Sequence, residues 1–317
     1  MKIINVKSLM PVRLDKYLID QYPTLGIGQL NKALRENKIK LNGKKQPLST
    51  RVCTGDTIKL FIPDDKLEPD SSKNSGPAFL QARFPAEPVY EDDHILLVNK
   101  PAGVPVTDDI ESDTLINRAL LYLYQQKRWT PGTPAPMLCH RLDTGTSGLV
   151  LIAKDARTEE LLTQLIKDHK IEKQYLCVTF GRPQPAQATL KDHLIKDAAK
   201  GQVRVVPNAS HNSKPIETRY STMAVSGRLA LLKVDLITRR THQIRVHMAS
   251  IRCPILGDSK YGNNAANREL KLKYQALCAW KLSFPVLTEP ELQGVSGKTF
   301  CAEKPWWCQQ VLDGKLK

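Results

Sequence analysis

Several things are scarce in this chain of 317 residues. Aromatic side chains make up only 6% of it, and the seven cysteines stand singly, with no Cys-x-x-Cys pair. Scattered thiols in a chain of this size exclude a disulfide framework and read as reduced. No apolar run approaches the length that crosses a bilayer, and the N-terminus MKIINVKSLM lacks the apolar core of a signal peptide, so a cytoplasmic protein that meets no membrane is expected. Neither a GxxxxGK[ST] loop nor a GxGxxG turn occurs, which leaves nucleotide cofactors without a seat. His242 and His247 are five apart and do not share a helical face as a zinc pair would; the reading requires no metal and no cofactor.

Positive charge is abundant. The formal net charge is +15, and a polyanion gains affinity from Lys and Arg that displace its counterions. About half of that excess lies in residues 1–62, which hold twelve Lys and Arg against four Asp and Glu. There Leu14, Tyr17 and Leu18, then Leu30, Ala33 and Leu34, fall at helical spacing. The period then changes: Ile39-Lys40-Leu41 leads into the turn Asn42-Gly43, and Gly55-Asp56 into the alternating strand Thr57 to Phe61. Two helices and a small basic sheet, opening Arg13-Leu14-Asp15-Lys16, resemble the RNA-binding module named after ribosomal protein S four, although the second helix opens Gly26-Ile27-Gly28-Gln29 where that module commonly carries hydroxyl and basic residues. The plain alternative is a solvated basic face.

Residues 63–87 are rich in Pro, Ser and Asp without apolar period and read as a linker. From 88 to 312, strand-like runs (Ile95 to Val98, Leu149 to Ala153, Tyr175 to Thr179, Leu229 to Leu236) alternate with helical segments such as Arg157 to His169. The stretch 125–136 reads as a mobile loop.

The chemistry is carried by His140-Arg141-Leu142-Asp143-Thr144-Gly145-Thr146-Ser147-Gly148-Leu149. Its first half is polar and its continuation apolar, which puts Asp143 on a loop entering a buried strand, where catalytic groups concentrate. A lone Asp in a turn is more often a backbone cap. Its surroundings decide otherwise. HRLD followed by TSGL resembles the signature of the RluA-type RNA pseudouridine synthases. Tyr90 to Val104, with its turn Asn99-Lys100-Pro101-Ala102-Gly103, resembles that family's first motif. Arg240-Thr241-His242-Gln243-Ile244-Arg245-Val246-His247 resembles its third, and Gly257-Asp258 with Tyr261-Gly262 the segment after it. The four blocks stand in the family's order across about 220 residues.

The resemblance implies an α+β pseudouridine synthase fold: a mixed, mainly antiparallel sheet with flanking helices and a central cleft, beside the small α/β RNA-binding domain. It implies isomerisation of uridine in structured RNA without cofactor. Asp143 would engage the sugar or the base, Arg245 would pair with it from a helix capped by Thr241, and Tyr175 would stack on the base. Leu282 would close the pocket. His140, Arg141, Arg240 and Lys100 are expected at the RNA, and so is Arg239, which stands where the family usually has Gly. Large-subunit ribosomal RNA is the first expectation for the partner and transfer RNA the second, with the chain acting as a monomer. The competing readings are a catalytically silent RNA-binding or ribosome-assembly factor and a glycosidase, the latter lacking a second carboxylate in matching context.

Overall fold

The computed structural model describes residues 2–7, 12–22, 24–63, 67, 77–107, 113–197 and 202–316. They fall into a first unit ending at Pro77 and a second beginning at Ala78. The first unit runs β1 (Lys2–Asn5), β2 (Val12–Arg13), α1 (Leu14–Gln21), α2 (Ile27–Arg35), β3 (Ile39–Leu41), β4 (Arg51–Val52) and β5 (Thr57–Leu60). Strands β1, β5 and β3 form an antiparallel sheet in that order, while β2 pairs with β4. The apolar spacing that suggests the helices also fills the core: Leu14, Leu18, Leu30, Ile39, Ile58 and Leu60 are fully buried together. At the hairpin tip Asn42 and Gly43 both have positive φ, 49° and 77°, the conformation an Asn-Gly pair favours. Lys16, Lys32, Arg35, Lys44, Lys45 and Arg51 stay exposed.

In the second unit the strands are β6 (Pro88–Glu91), β7 (Ile95–Lys100), β8 (Met137–Leu138), β9 (Ser147–Ala153), β10 (Glu172–Phe180), β11 (Gln187–Asp197), β12 (Gln202–Val206), β13 (Lys214–Ser226), β14 (Leu229–Leu236), β15 (Leu277–Ser283) and β16 (Thr299–Cys301). The helices are α3 (Leu115–Gln125), α4 (Ala156–Lys167), α5 (Gln243–Ser250), α6 (Asn264–Glu269) and α7 (Trp306–Leu312). One sheet runs β12-β11-β13-β14-β10-β15-β9-β7-β6, with β16 beside β15 and β8 beside β9. Among the described residues every pair in it is antiparallel except β9 with β15. This is the mainly antiparallel α+β architecture expected.

Alternation explains why the apolar runs are nearly continuous. Leu149 and Leu151 of β9 join Ile95 and Leu97 of β7 in the core on one face, while Val150 and Ile152 join Leu96 and Val98 on the other. A strand buried on both faces needs apolar residues at every position. The β9–β15 contact is short, Cys278 beside Ser147 and Ala279 beside Gly148. Gly148 has φ of 111°, and a Cβ there would stand 2.3 Å from the Ala279 carbonyl oxygen, so the two strands meet only over a glycine.

Two expectations on loops need correction. Residues 78–87, read as the end of a linker, pack onto the second unit: Phe79, Ala82 and Ala86 are buried. The stretch 125–136 is anchored by Trp129, whose ring meets that of Phe79 edge-on at 5.2 Å and whose indole N–H donates to the Pro134 carbonyl at 3.1 Å. A polar, Pro-rich composition hid the few aromatic contacts that fasten both segments.

Candidate active site

A cleft of about 820 Å³ opens in the second unit, with Asp143 and Tyr175 on its walls. Asp143 sits in the turn before β9, where the Thr146 amide donates to its carbonyl at 2.9 Å. Its carboxylate is 27% exposed, and Oδ2 accepts from Arg245 Nη1 at 2.7 Å, the pairing the motif implies.

Arg245 rises from α5 and is aimed by a second carboxylate. Its Nε and Nη2 donate to Asp258 Oδ2 and Oδ1 at 2.7 and 2.9 Å, a two-pronged grip that fixes a planar guanidinium and leaves Nη1 for Asp143. Asp258 is fully buried and also accepts from the Lys260 and Tyr261 amides at 2.8 and 3.0 Å. Burial pushes the Asp258 carboxyl up, but Arg245 and the two amides outweigh it and hold it below the usual range. Burial likewise works against the Arg245 cation, and the two carboxylates overcome it.

The helix carrying Arg245 does not begin at a Thr241 cap. It starts at Gln243, after His242 in the left-handed conformation with φ of 55°. The Gln243 side chain anchors this turn: Oε1 accepts from the Arg240 amide at 3.0 Å and Nε2 donates to the Glu217 carbonyl at 3.0 Å. His242 Nδ1 lies 2.9 Å from the Tyr261 hydroxyl and Nε2 lies 3.8 Å from Asp143 Oδ2. Burial lowers the imidazole's pKa despite that carboxylate.

Tyr175, on β10, is 7% exposed. Burial pushes its hydroxyl up to about 12, so it is a neutral phenol at working pH. Leu277 stands with it on the cleft wall. Leu282 does not: it lies in the core with Leu151, Leu162 and Ile171.

Lys100 is corrected as an RNA contact. It is fully buried, and its Nζ donates to the carbonyls of Pro101, Val104 and Thr144 at 3.0, 2.8 and 3.1 Å. Burial lowers it to about 7. Thr144 follows Asp143, so this lysine fastens the aspartate's loop from below. Arg239 is corrected too. Its Nη1 and Nη2 donate to the carbonyls of Ile166 and Ile171 at 2.8 and 2.5 Å, one in the last turn of α4, where carbonyls lack helical partners, and one just ahead of β10. His140 Nε2 accepts from the Leu151 amide at 3.1 Å, tying the loop to β9, while Arg141 and Arg240 are exposed at the cleft.

Sequence reasoning gave no role to Asp258, Tyr261, His242 or Lys173. A usable signal existed for Asp258, since an arginine buried beside one carboxylate commonly needs a second acceptor for its remaining N–H groups.

A loop carboxylate held by an oriented arginine beside a buried tyrosine can act as a nucleophile or a proton acceptor toward a group that enters the cleft. Residues 94–250 match the family described as RNA pseudouridylate synthase. Over 271 residues the chain is 36% identical to ribosomal large subunit pseudouridine synthase C of Rickettsia bellii, covering 83% of this chain and 86% of that one. An uncharacterised RNA pseudouridine synthase of Mycoplasma pneumoniae is 31% identical and covers 99% of this chain and 98% of its own. In fold the chain is similar to human RNA pseudouridylate synthase domain containing 4, with TM-score 0.57 and 23% identity, covering 72% of this chain and 92% of that one. The chain belongs to the RluA family of RNA pseudouridine synthases, which are isomerases.

Proposed function

We propose that this pseudouridine synthase isomerises uridine in large-subunit ribosomal RNA, with Asp143 as its catalytic carboxylate. The observation that carries the mechanism is the Asp143–Arg245–Asp258 chain: the guanidinium pairs with the Asp143 carboxylate and orients it, with more than a quarter of the side chain open to the cleft. The C1′–N1 bond breaks, the uracil turns, and C5 bonds to C1′; the C5 proton then leaves and N1 is protonated, so atoms balance without a cofactor. Asp143 engages the sugar or the ring and exchanges protons in these steps. Tyr175 stacks on the base as a neutral phenol, and Leu277 takes the apolar role first expected of Leu282.

A target uridine must leave its stack to reach Asp143. Arg141 and Arg240, exposed at the mouth, meet the displaced backbone, and the cations of the first unit grip RNA through phosphates. The preference for ribosomal RNA rests on relatives such as that of Rickettsia bellii, named for the large ribosomal subunit. A cytoplasmic monomer accords with this role.

The test is to incubate unmodified large-subunit ribosomal RNA and transfer RNA transcripts with wild type and Asp143→Ala, then map pseudouridine chemically. Pseudouridine in ribosomal RNA with wild type alone is the expected result. Equal modification by both proteins removes Asp143 from the mechanism, and modification confined to transfer RNA replaces the substrate. No modification of any cellular RNA favours a binding factor.

A further inference from the structure

Lys173 is used by nothing described so far. It is 6% exposed and lies on the cleft wall, yet its amine has no hydrogen-bond or ion-pair partner among the described residues. An amine largely withdrawn from bulk water with no protein acceptor is unfavourable in the free protein. Its neighbours offer no relief: the Arg239 guanidinium is close enough to repel it, and the Cys139 thiol is held neutral by burial. The structure therefore keeps a donor facing the cleft with no protein acceptor among the described residues.

Strand register says which end of the cleft this is. Lys173 and Tyr175 are two apart on β10 and project from the same face. Leu176 lies beside Cys278 on β15, which is level with Ser147 at the start of β9, whereas Lys173 lies beside Leu282, further along. The loop before β9 runs the same course in reverse, from His140, tied to Leu151, back to Asp143 just ahead of Ser147. Asp143 and Tyr175 thus stand at one end, His140 and Lys173 at the other. The two β10 side chains are separated by roughly 7 Å of strand, comparable with the length of a pyrimidine and its substituents.

We infer that Lys173 binds the carbonyl oxygen lying opposite the ribose on the flipped uracil: O4 while the base is attached through N1, and O2 once it is attached through C5. This rests on the reading that the base enters beside Tyr175 with its sugar at Asp143. In a six-membered ring N1 faces C4, and C5 faces C2. The half-turn that isomerises uridine therefore exchanges one carbonyl for the other at the distal end, and a single donor serves substrate, detached uracil anion and product. Negative charge on the departing ring spreads onto these oxygens and favours the ammonium form of Lys173, which burial and the Arg239 charge disfavour in the free protein. As an ammonium, Lys173 offers only donors. Cytidine carries an amino group at C4, also a donor, so the contact favours uridine over cytidine.

The test crosses Lys173→Met with an RNA fragment that the wild type modifies, carrying at the target either uridine or 4-thiouridine, whose sulfur accepts poorly. With uridine, Lys173→Met is expected to lower kcat on the order of 10²-fold, as loss of one preorganised donor does, with RNA affinity unchanged and Tm equal to wild type or higher. With 4-thiouridine the wild type slows, and Lys173→Met shows no further loss beyond its own, because the variant has no contact to O4 left for the sulfur to weaken. Losses that multiply, or an unchanged kcat with uridine, overturn the proposal. So does a fall in both Tm and RNA affinity, the signature of a structural lysine. Asp143→Ala is run alongside: if it still forms pseudouridine, the placing of the base fails; if it is inactive while the Lys173 losses multiply, only the role of Lys173 falls.

Discussion

At the Asp143 end of the cleft each charge is answered by another: Asp143 by Arg245, Arg245 by Asp258, and Asp258 by two backbone amides as well. At the Lys173 end two basic side chains converge with no carboxylate bonded to either among the described residues; Arg239 is met by two carbonyls, which leave its Nε unpaired, and the Lys173 amine has no protein acceptor. The contrast separates two ways of preparing a site. One end is assembled before RNA arrives, and breaking it leaves a buried charge exposed to its own field. The other is left incomplete, so its substitution should relieve the fold while harming the reaction.

The largest effect expected is on chemistry at the assembled end. Asp143→Ala should lower the single-turnover rate by roughly 10⁴-fold with Tm shifted only a few degrees, since the side chain is partly exposed; a retained rate would show that the arrangement is not used. Next is Asp258→Asn, which strips Arg245 of a fully buried counter-charge and should cost about 3–5 kcal/mol in urea unfolding, with activity falling as Nη1 loses its aim. At the other end, Arg239→Gly restores the family's usual residue and gives up two charged hydrogen bonds. About 2 kcal/mol of stability should be lost and kcat largely kept, and a collapse of kcat would mean that Arg239 reaches the base after all.

How much of this contrast could be read in the sequence depends on the range of the forces involved. The sheet runs, the Asn42-Gly43 turn and the placing of Asp143 before a buried strand follow from local pattern, and the Asp143–Arg245 pair from motif order. Arg239 was misread because its partners, the carbonyls of Ile166 and Ile171, lie about 70 residues away in sequence and carry no side-chain signature. Leu282 was misplaced because motif resemblance does not show which leucine of β15 is covered: Leu277 lines the cleft, whereas Leu282, beside Lys173 further along the strand, is packed under Leu162 of α4. Lys100 looked like a phosphate ligand because burial of a lysine is the exception; what hides it is a knot of three carbonyls belonging to two separate loops.

The smaller effects concern pH. With the Tyr175 hydroxyl near 12, the rate should show no limb from its ionisation between pH 7 and 10, and Tyr175→Phe should leave the profile's shape unchanged there. For stability, His140, His242 and His247 are all held below their ordinary value of 6.5, chiefly by burial. The unfolded chain then binds more protons than the fold as pH drops, so their contribution is complete above about 6.5 and is lost as pH falls below it. His94, raised by its bond to Asp155, acts in the opposite sense. Urea midpoints should decline from pH 7.5 to 5.5, and His94→Ala should steepen the decline.

The short parallel contact between β9 and β15 gives the cleft a mechanical character. Asp143 hangs from the β9 side of the sheet, and Tyr175 and Arg245 belong to the other side, beyond β15. A seam two residue pairs long, closed over a glycine, is all that the β9–β15 ladder contributes between them. The distance between the Asp143 and Tyr175 walls is therefore gauged by the width of that seam, and a single methyl group at Gly148 would act as a shim, widening that spacing without touching either side chain.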